Sequence, residues 1–130
     1  MGLNYLFDTN IFIYYLNDDP KVSHLFDAKF ISNNTVYVSS ITRIELLSFP
    51  DLNDNEMLNI SRLLDEFEII QINRNIEDSC IDLRKKYNIK TPDALIIATA
   101  GICNAVVITS DKDLFKISSD IKIIDPKDVK

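Results

Sequence analysis

The chain has 130 residues, 46% of them hydrophobic, with only two glycines and four prolines. That is enough apolar sequence for one domain to bury a core without staples, and it excludes a linker-rich or low-complexity protein. The formal net charge of −6 lacks the basic excess usual in proteins that grip nucleic acid by its phosphates. No internal repeat and no long polar run divides the chain, so residues 1–130 are expected to form a single domain.

Residues 4–7 form a short apolar run ending at Asp8, which predicts a buried first strand, followed by a brief helix over residues 10–16. Asp19-Pro20 reads as a helix cap with proline in the first turn, opening a helix through about Phe30. Val36-Tyr37-Val38 predicts a second strand, and Ser39 or Ser40 caps a helix carrying Arg43, Glu45 and Leu47 until Phe49-Pro50-Asp51 breaks it. Met57, Ile60, Leu63, Leu64 and Phe67 recur at helical spacing, predicting a helix over residues 55–66. Residues 68–72 read as a third strand, after which Asn73 caps a helix holding Ile76, Cys80, Leu83 and Tyr87. Thr91-Pro92 repeats the cap-then-proline signal and opens a helix over residues 93–103. Strands four and five are predicted at residues 105–109 and 121–124. Strands alternating with helices require crossover connections, so the expected fold is a three-layer α/β sandwich with a five-stranded parallel sheet flanked by helices.

Cys80 and Cys103 lie in apolar, helix-like sequence without a CxxC pairing and read as reduced core thiols, which suits a cytoplasmic location. No charged leader followed by an apolar core opens the sequence, so no secretory signal is expected. The apolar stretch over residues 94–108 is interrupted by Thr99 and Asn104 and is too short to span a bilayer. A buried helix running into a buried strand accounts for it better.

Four acidic residues fall where such a fold binds ligands. Parallel sheets bind beyond the carboxyl ends of their strands, at the point where strand order reverses. Asp8 follows strand one, Asp111 follows strand four, Asp93 is in the first turn of the helix before strand four, and Glu45 is two turns along the helix after strand two. If strands one, two and four are neighbours, the four carboxylates converge at one rim. Without cations such a cluster is costly in repulsion and desolvation. Mg²⁺ or Mn²⁺ resolves the conflict, since both take oxygen ligands and retain water. A site of this kind can activate water and stabilise a phosphodiester during in-line attack.

Each acid also has a simpler use. Asp8 could cap the first helix, Asp93 favours a helix macrodipole, and Asp111 could cap the turn holding Leu114 and Phe115. Glu45 is harder to explain that way, because Ile44, Leu46 and Leu47 imply a largely covered helix.

Phe-Asp-Thr-Asn at 7–10, Ile-Thr-Arg-Ile-Glu-Leu at 41–46, Thr-Pro-Asp-Ala-Leu-Ile-Ile-Ala-Thr-Ala at 91–100 and Ile-Thr-Ser-Asp-Lys-Asp-Leu at 108–114 together resemble the PIN domain, in the family's order. The resemblance covers essentially the whole chain and is most specific in the third segment. It implies a five-stranded parallel sheet and a Mg²⁺- or Mn²⁺-dependent endoribonuclease. Asp8, Glu45 and Asp93 correspond to the family's three core acids and Asp111 to a fourth, with Asp113 as an accessory acid and reserve ligand. Thr9, Asn10 and Thr109 match polar positions that steady the ligands. Leu114 stands where the family commonly has an aromatic, with Phe115 one place later.

A stand-alone chain of this length is similar to VapC-type toxins, which implies RNA as substrate, a small antitoxin as partner and a homodimer, with no membrane association. Candidate RNA contacts are Arg43, Arg74, Arg84, Lys85, Lys86 and Lys90, although Arg84-Lys85-Lys86 also suits a solvated helix end. Tyr14 and Tyr15 could stack on bases or pack in the core. Other chemistries fit less well. A haloacid-dehalogenase-type phosphotransferase wants Asp where Asn10 stands, and a receiver domain wants an acidic pair and a late lysine that are not evident. His24 is the only histidine and falls within an apparent surface helix, and no glycine-rich phosphate loop exists. The non-enzymatic alternative is a PIN-fold RNA- or protein-binding module that has lost activity.

Overall fold

Strand β1 (Asn4–Phe7) presents its residues alternately to two faces. Tyr5 and Phe7 enter one core and Leu6 another, as the two-residue period of a strand requires. Four more strands join it in parallel: β2 (Thr35–Ser39), β3 (Glu68–Ile70), β4 (Val106–Ile108) and β5 (Ile123–Ile124), in the order β3-β2-β1-β4-β5. The computed structural model describes residues 2–117 and 121–129.

Helices supply the crossovers that parallel neighbours need. They are α1 (Thr9–Leu16), α2 (Ala28–Asn33), α3 (Ser40–Leu47), α4 (Asp54–Leu64), α5 (Arg74–Lys86) and α6 (Thr91–Ile102). Phe12 of α1 and Ile60 and Leu64 of α4 pack with Phe7, Val38 and Ile108 on one side of the sheet. Ile96, Ile97 and Ala100 of α6 pack with Leu6 and Val107 on the other. This is the expected three-layer sandwich. Phe7 anchors the first core, its ring centroid 5.6 Å from Phe26, 5.8 Å from Phe67 and 5.9 Å from Phe12.

Helix α6 is covered on nearly all sides and leads into β4, as the apolar run over residues 94–108 predicts. No helix among the described residues is long and apolar enough to cross a membrane. Cys80 is buried, Cys103 is half-buried, and both are free thiols. Leu114 is fully buried in the second core with Phe115 packed beside it, so an aliphatic side chain fills that position.

Several local expectations are corrected. The helix predicted to run from Asp19-Pro20 to about Phe30 is two short pieces, a 3₁₀ turn at Ser23–Phe26 and then α2, separated by extended Asp27. Asp19 makes an Asx turn by accepting from the Lys21 amide at 3.0 Å, after Asp18 has left the helical region at φ 58°. A side chain that mimics a turn in this way competes with helix initiation. His24 therefore does not sit mid-helix; its Nε2 lies 2.9 Å from the Pro126 carbonyl. Thr91 is the first helical residue and not the cap, a position held by Lys90 without a side-chain bond. Ser39 and Asn73 cap α3 and α5 as predicted, and α4 opens on an Asn53–Glu56 capping box. The third, fourth and fifth strands are each shorter than predicted.

Candidate functional site

The chain builds β1, β2 and β3 outward in one direction and then returns to place β4 on the other side of β1. Strand order reverses between β1 and β4, which is where an open parallel sheet leaves a crevice at its carboxyl edge. Phe7 pairs with Ile108 in that register, so the next residues, Asp8 and Thr109, emerge side by side. The Asp8 amide continues the ladder by donating to the Ile108 carbonyl at 3.1 Å.

Asp8 is 4% exposed and occupies the cap position of α1, yet its side chain makes no capping bond. Its Oδ2 instead accepts from Thr109 Oγ1 at 2.8 Å. Burial pushes the carboxyl up to about 6, aided by the charges of Asp93 and Asp111 and opposed by the Thr109 hydroxyl and the Thr9 amide. An acid kept in this position at a desolvation cost is not explained by helix capping.

Helix α3 brings Glu45 to the same edge. Its Oε1 accepts from Thr9 Oγ1 at 2.7 Å, and Thr9 Oγ1 lies 2.8 Å from the hydroxyl of Thr42. Thr42 is fully buried and escaped the sequence reading. The available signal was its place three residues before Glu45, on the same helix face. The expectation of a largely covered helix is corrected, since Arg43 and Ile44 face solvent and Ile44 is 54% exposed. Only the side bearing Thr42 and Leu46 is buried, so Glu45 stands at a boundary.

Asp93 enters from the first turn of α6. Its carboxyl is raised above the usual range by burial first, then by the charges of Asp111 and Glu45, with Lys90 opposing and Asp113 adding to the rise. Asp8, Thr9, Asn10, Ile13, Glu45, Phe49, Asp93 and Ile96 line one open cleft of about 360 Å³. Three of the four predicted acids, with Thr9 and Asn10, are thereby brought together.

Asp111 stands at the edge of this group. It does not line the cleft, but its charge raises both Asp8 and Asp93. Its amide donates to Thr109 Oγ1 and its Oδ1 accepts from the Asp113 amide, both at 3.0 Å, so it also serves the turn. Asp113 is exposed and acts on Asp93 alone of the two. Thr109 thus touches Asp8 with its proton and the Asp111 loop with its lone pair.

The basic residues are dispersed. Lys90, at the start of α6, is the one whose charge bears on Asp93. Arg43 and Lys85 are exposed, Arg84 Nε donates to the Ile89 carbonyl at 3.3 Å, and Arg74 lies 3.7 Å from Glu77. Lys86 borders a separate groove with Ile97 and Gly101. Tyr15 stacks on Phe26 at 3.9 Å, while Tyr14 carries the Lys21 ammonium over its ring at 3.6 Å.

The donors in the cleft are carboxylate oxygens steadied by hydroxyls, a set suited to a hard divalent cation. Among the described residues no three His, Cys, Asp or Glu side chains already form a ligating group. Mg²⁺ retains several waters and takes one or two carboxylates directly, so the raised, mutually repelling Asp8 and Asp93 fit that requirement. A second groove of about 470 Å³, lined by Leu16, Leu52 and Ile60, adjoins the cleft and shares Ile13 and Phe49 with it.

The PIN domain family profile matches residues 5–119. The chain belongs to the PIN domain family. No curated protein sequence matches this PIN domain. Among solved structures it is similar to a toxin–antitoxin complex from Klebsiella pneumoniae, at 27% identity over 96% of this chain and 99% of that one, with a TM-score of 0.77. VapBC-1 from nontypeable Haemophilus influenzae is also 27% identical, over 95% and 98% of the two chains, with a TM-score of 0.76. VapBC2 from Rickettsia felis, solved with a fragment of its promoter DNA, superposes with a TM-score of 0.81 at 24% identity over 95% and 98%. At that identity it speaks to the fold alone.

Proposed function

We propose that this PIN domain is a Mg²⁺- or Mn²⁺-dependent endoribonuclease that hydrolyses RNA phosphodiester bonds, acting in the cytoplasm as the toxin of a type II toxin–antitoxin pair. The observation that carries the reading is the convergence of Asp8, Glu45 and Asp93 on one cleft at the reversal point of the sheet. Asp8, Glu45 and Asp93 would hold the cation, with Asp111 completing the negative surround. Bound there, a divalent ion supplies water activation and offsets charge on the scissile phosphate. Thr109 keeps Asp8 aimed into the cleft, and Thr9 does the same for Glu45. Lys90 supplies a positive charge at the rim for an RNA phosphate, which partly offsets the acidic surface. Arg43, Arg84, Lys85 and Lys86 are further candidates for the flanking strand.

The toxin assignment is supported by the Klebsiella and Haemophilus structures, nearly full-length matches from toxin–antitoxin systems. A small antitoxin is accordingly proposed as partner, and a homodimer as the assembly. The groove holding Leu16 and Leu52 offers apolar surface beside the cleft for a protein partner to cover.

Incubating the protein with mixed structured RNAs in Mn²⁺, Mg²⁺ or EDTA tests the reading, alongside a variant carrying Asp8→Asn and Asp93→Asn. Cleavage that requires metal and disappears in the folded variant supports it. Equal cleavage by both proteins places the activity elsewhere. Metal binding without cleavage of any RNA favours a PIN-fold binding module instead.

A further inference from the structure

We propose that Thr42 is a positioning residue for Glu45, acting through the hydroxyl of Thr9; the role rests on the nuclease reading above. Thr42 Oγ1 lies 2.8 Å from Thr9 Oγ1, which lies 2.7 Å from Glu45 Oε1. Thr9 Oγ1 donates to Glu45 Oε1, and a hydroxyl has one proton to give. The contact between the two threonines is then satisfied only with Thr42 as donor. Proton direction runs from Thr42 to Thr9 to Glu45.

A buried helical threonine ordinarily spends its hydroxyl on its own helix. Thr99, equally buried on α6, does so by donating to the Leu95 carbonyl at 2.7 Å. Thr42 instead reaches from α3 to α1, across 33 residues of sequence. Thr9 directly follows Asp8, so fixing its rotamer also fixes where Glu45 stands relative to Asp8. Glu45 has three side-chain torsions and is only half-buried, so packing alone leaves it freedom that this hydroxyl removes. Partners that orient a ligand from behind commonly affect metal affinity by about 10-fold to 100-fold.

The test compares wild type with Thr42→Val, which keeps shape and removes the donor, and Thr42→Ser, which keeps the donor. Three-bond NMR couplings report the Thr9 χ1 rotamer in the metal-free protein, and electron paramagnetic resonance reports Mn²⁺ affinity. Thr42→Val is expected to average the Thr9 rotamer and weaken Mn²⁺ binding by about 10-fold to 100-fold, with Thr42→Ser restoring both. Should Thr42→Val fail to fold, Thr42→Ala carries the same expectation. A single retained Thr9 rotamer, or unchanged Mn²⁺ affinity, in the folded variant overturns the proposal. If wild type neither binds Mn²⁺ nor cuts RNA, the nuclease reading fails instead, and the couplings still decide whether Thr42 orients Thr9.

Discussion

Thr109 Oγ1 donates to Asp8 Oδ2 at 2.8 Å across 101 residues of sequence. The bond follows from the parallel pairing of β1 with β4, which sets Phe7 opposite Ile108 and leaves the next two residues adjacent. It gives a buried carboxylate one hydroxyl partner while Asp93 and Asp111 press on it with like charge. The fold therefore holds its central acid at a cost in stability, and that cost is measurable.

Asp8→Asn keeps side-chain size and can still accept from Thr109. In metal-free protein at pH 7 it should raise stability by on the order of 1–3 kcal/mol, since it removes a charge disfavoured by burial. Urea unfolding with EDTA present checks this. The same variant should lose RNA cleavage, so stability and activity move in opposite directions.

The pH dependence has a definite sign. The folded Asp8 carboxyl titrates near 6, above its value in an unfolded chain, so the native state binds the extra proton. Stability from this group is fully present below about pH 4 and is lost as pH rises through about 6. Asp93, also raised, contributes with the same sign. The stability difference between Asp8→Asn and wild type, measured without metal, should grow from near zero at acid pH to its full value above neutrality.

Removing the Thr109 hydroxyl leaves Asp8 without its side-chain donor and the Asp111 amide without its acceptor. Thr109→Val should push the Asp8 carboxyl above about 6 and cost about 1–3 kcal/mol of stability. Thr109→Ser should restore both. A ¹³C carboxyl titration resolves the first effect and urea unfolding the second.

Away from the cleft, Phe7 is fully buried among Phe12, Phe26, Phe30 and Phe67. Phe7→Ala should cost about 3–5 kcal/mol, read as a lower urea midpoint with little change in slope.

Where local chemistry decided the outcome, the sequence was informative. Asp8 at the end of an apolar run, caps at Ser39 and Asn73, and a proline-opened helix bearing Asp93 all appear where residue type and spacing put them. The PIN-like motifs singled out Asp8, Glu45 and Asp93, and the fold brings these three to one cleft. What was not legible depended on partners distant in sequence. Thr42 matters only once α1 and α3 meet, and its place three residues before Glu45 is the one local feature that sets its hydroxyl apart from that of Thr99. The Asp19-Pro20 signal misled because an Asx turn uses the same residues as a helix start. Ile44 reads as covered by its neighbours' hydrophobicity, although helical geometry turns it outward.

Anomalous diffraction from Mn²⁺-soaked crystals directly tests the divalent cation proposed to lie between Asp8, Glu45 and Asp93. The predicted result is a peak in the cleft with oxygens of Asp8 and Asp93 at about 2.1 Å, absent from crystals of the Asp8→Asn, Asp93→Asn protein. A cleft without a peak at saturating Mn²⁺, or a peak bound only elsewhere on the surface, would contradict it.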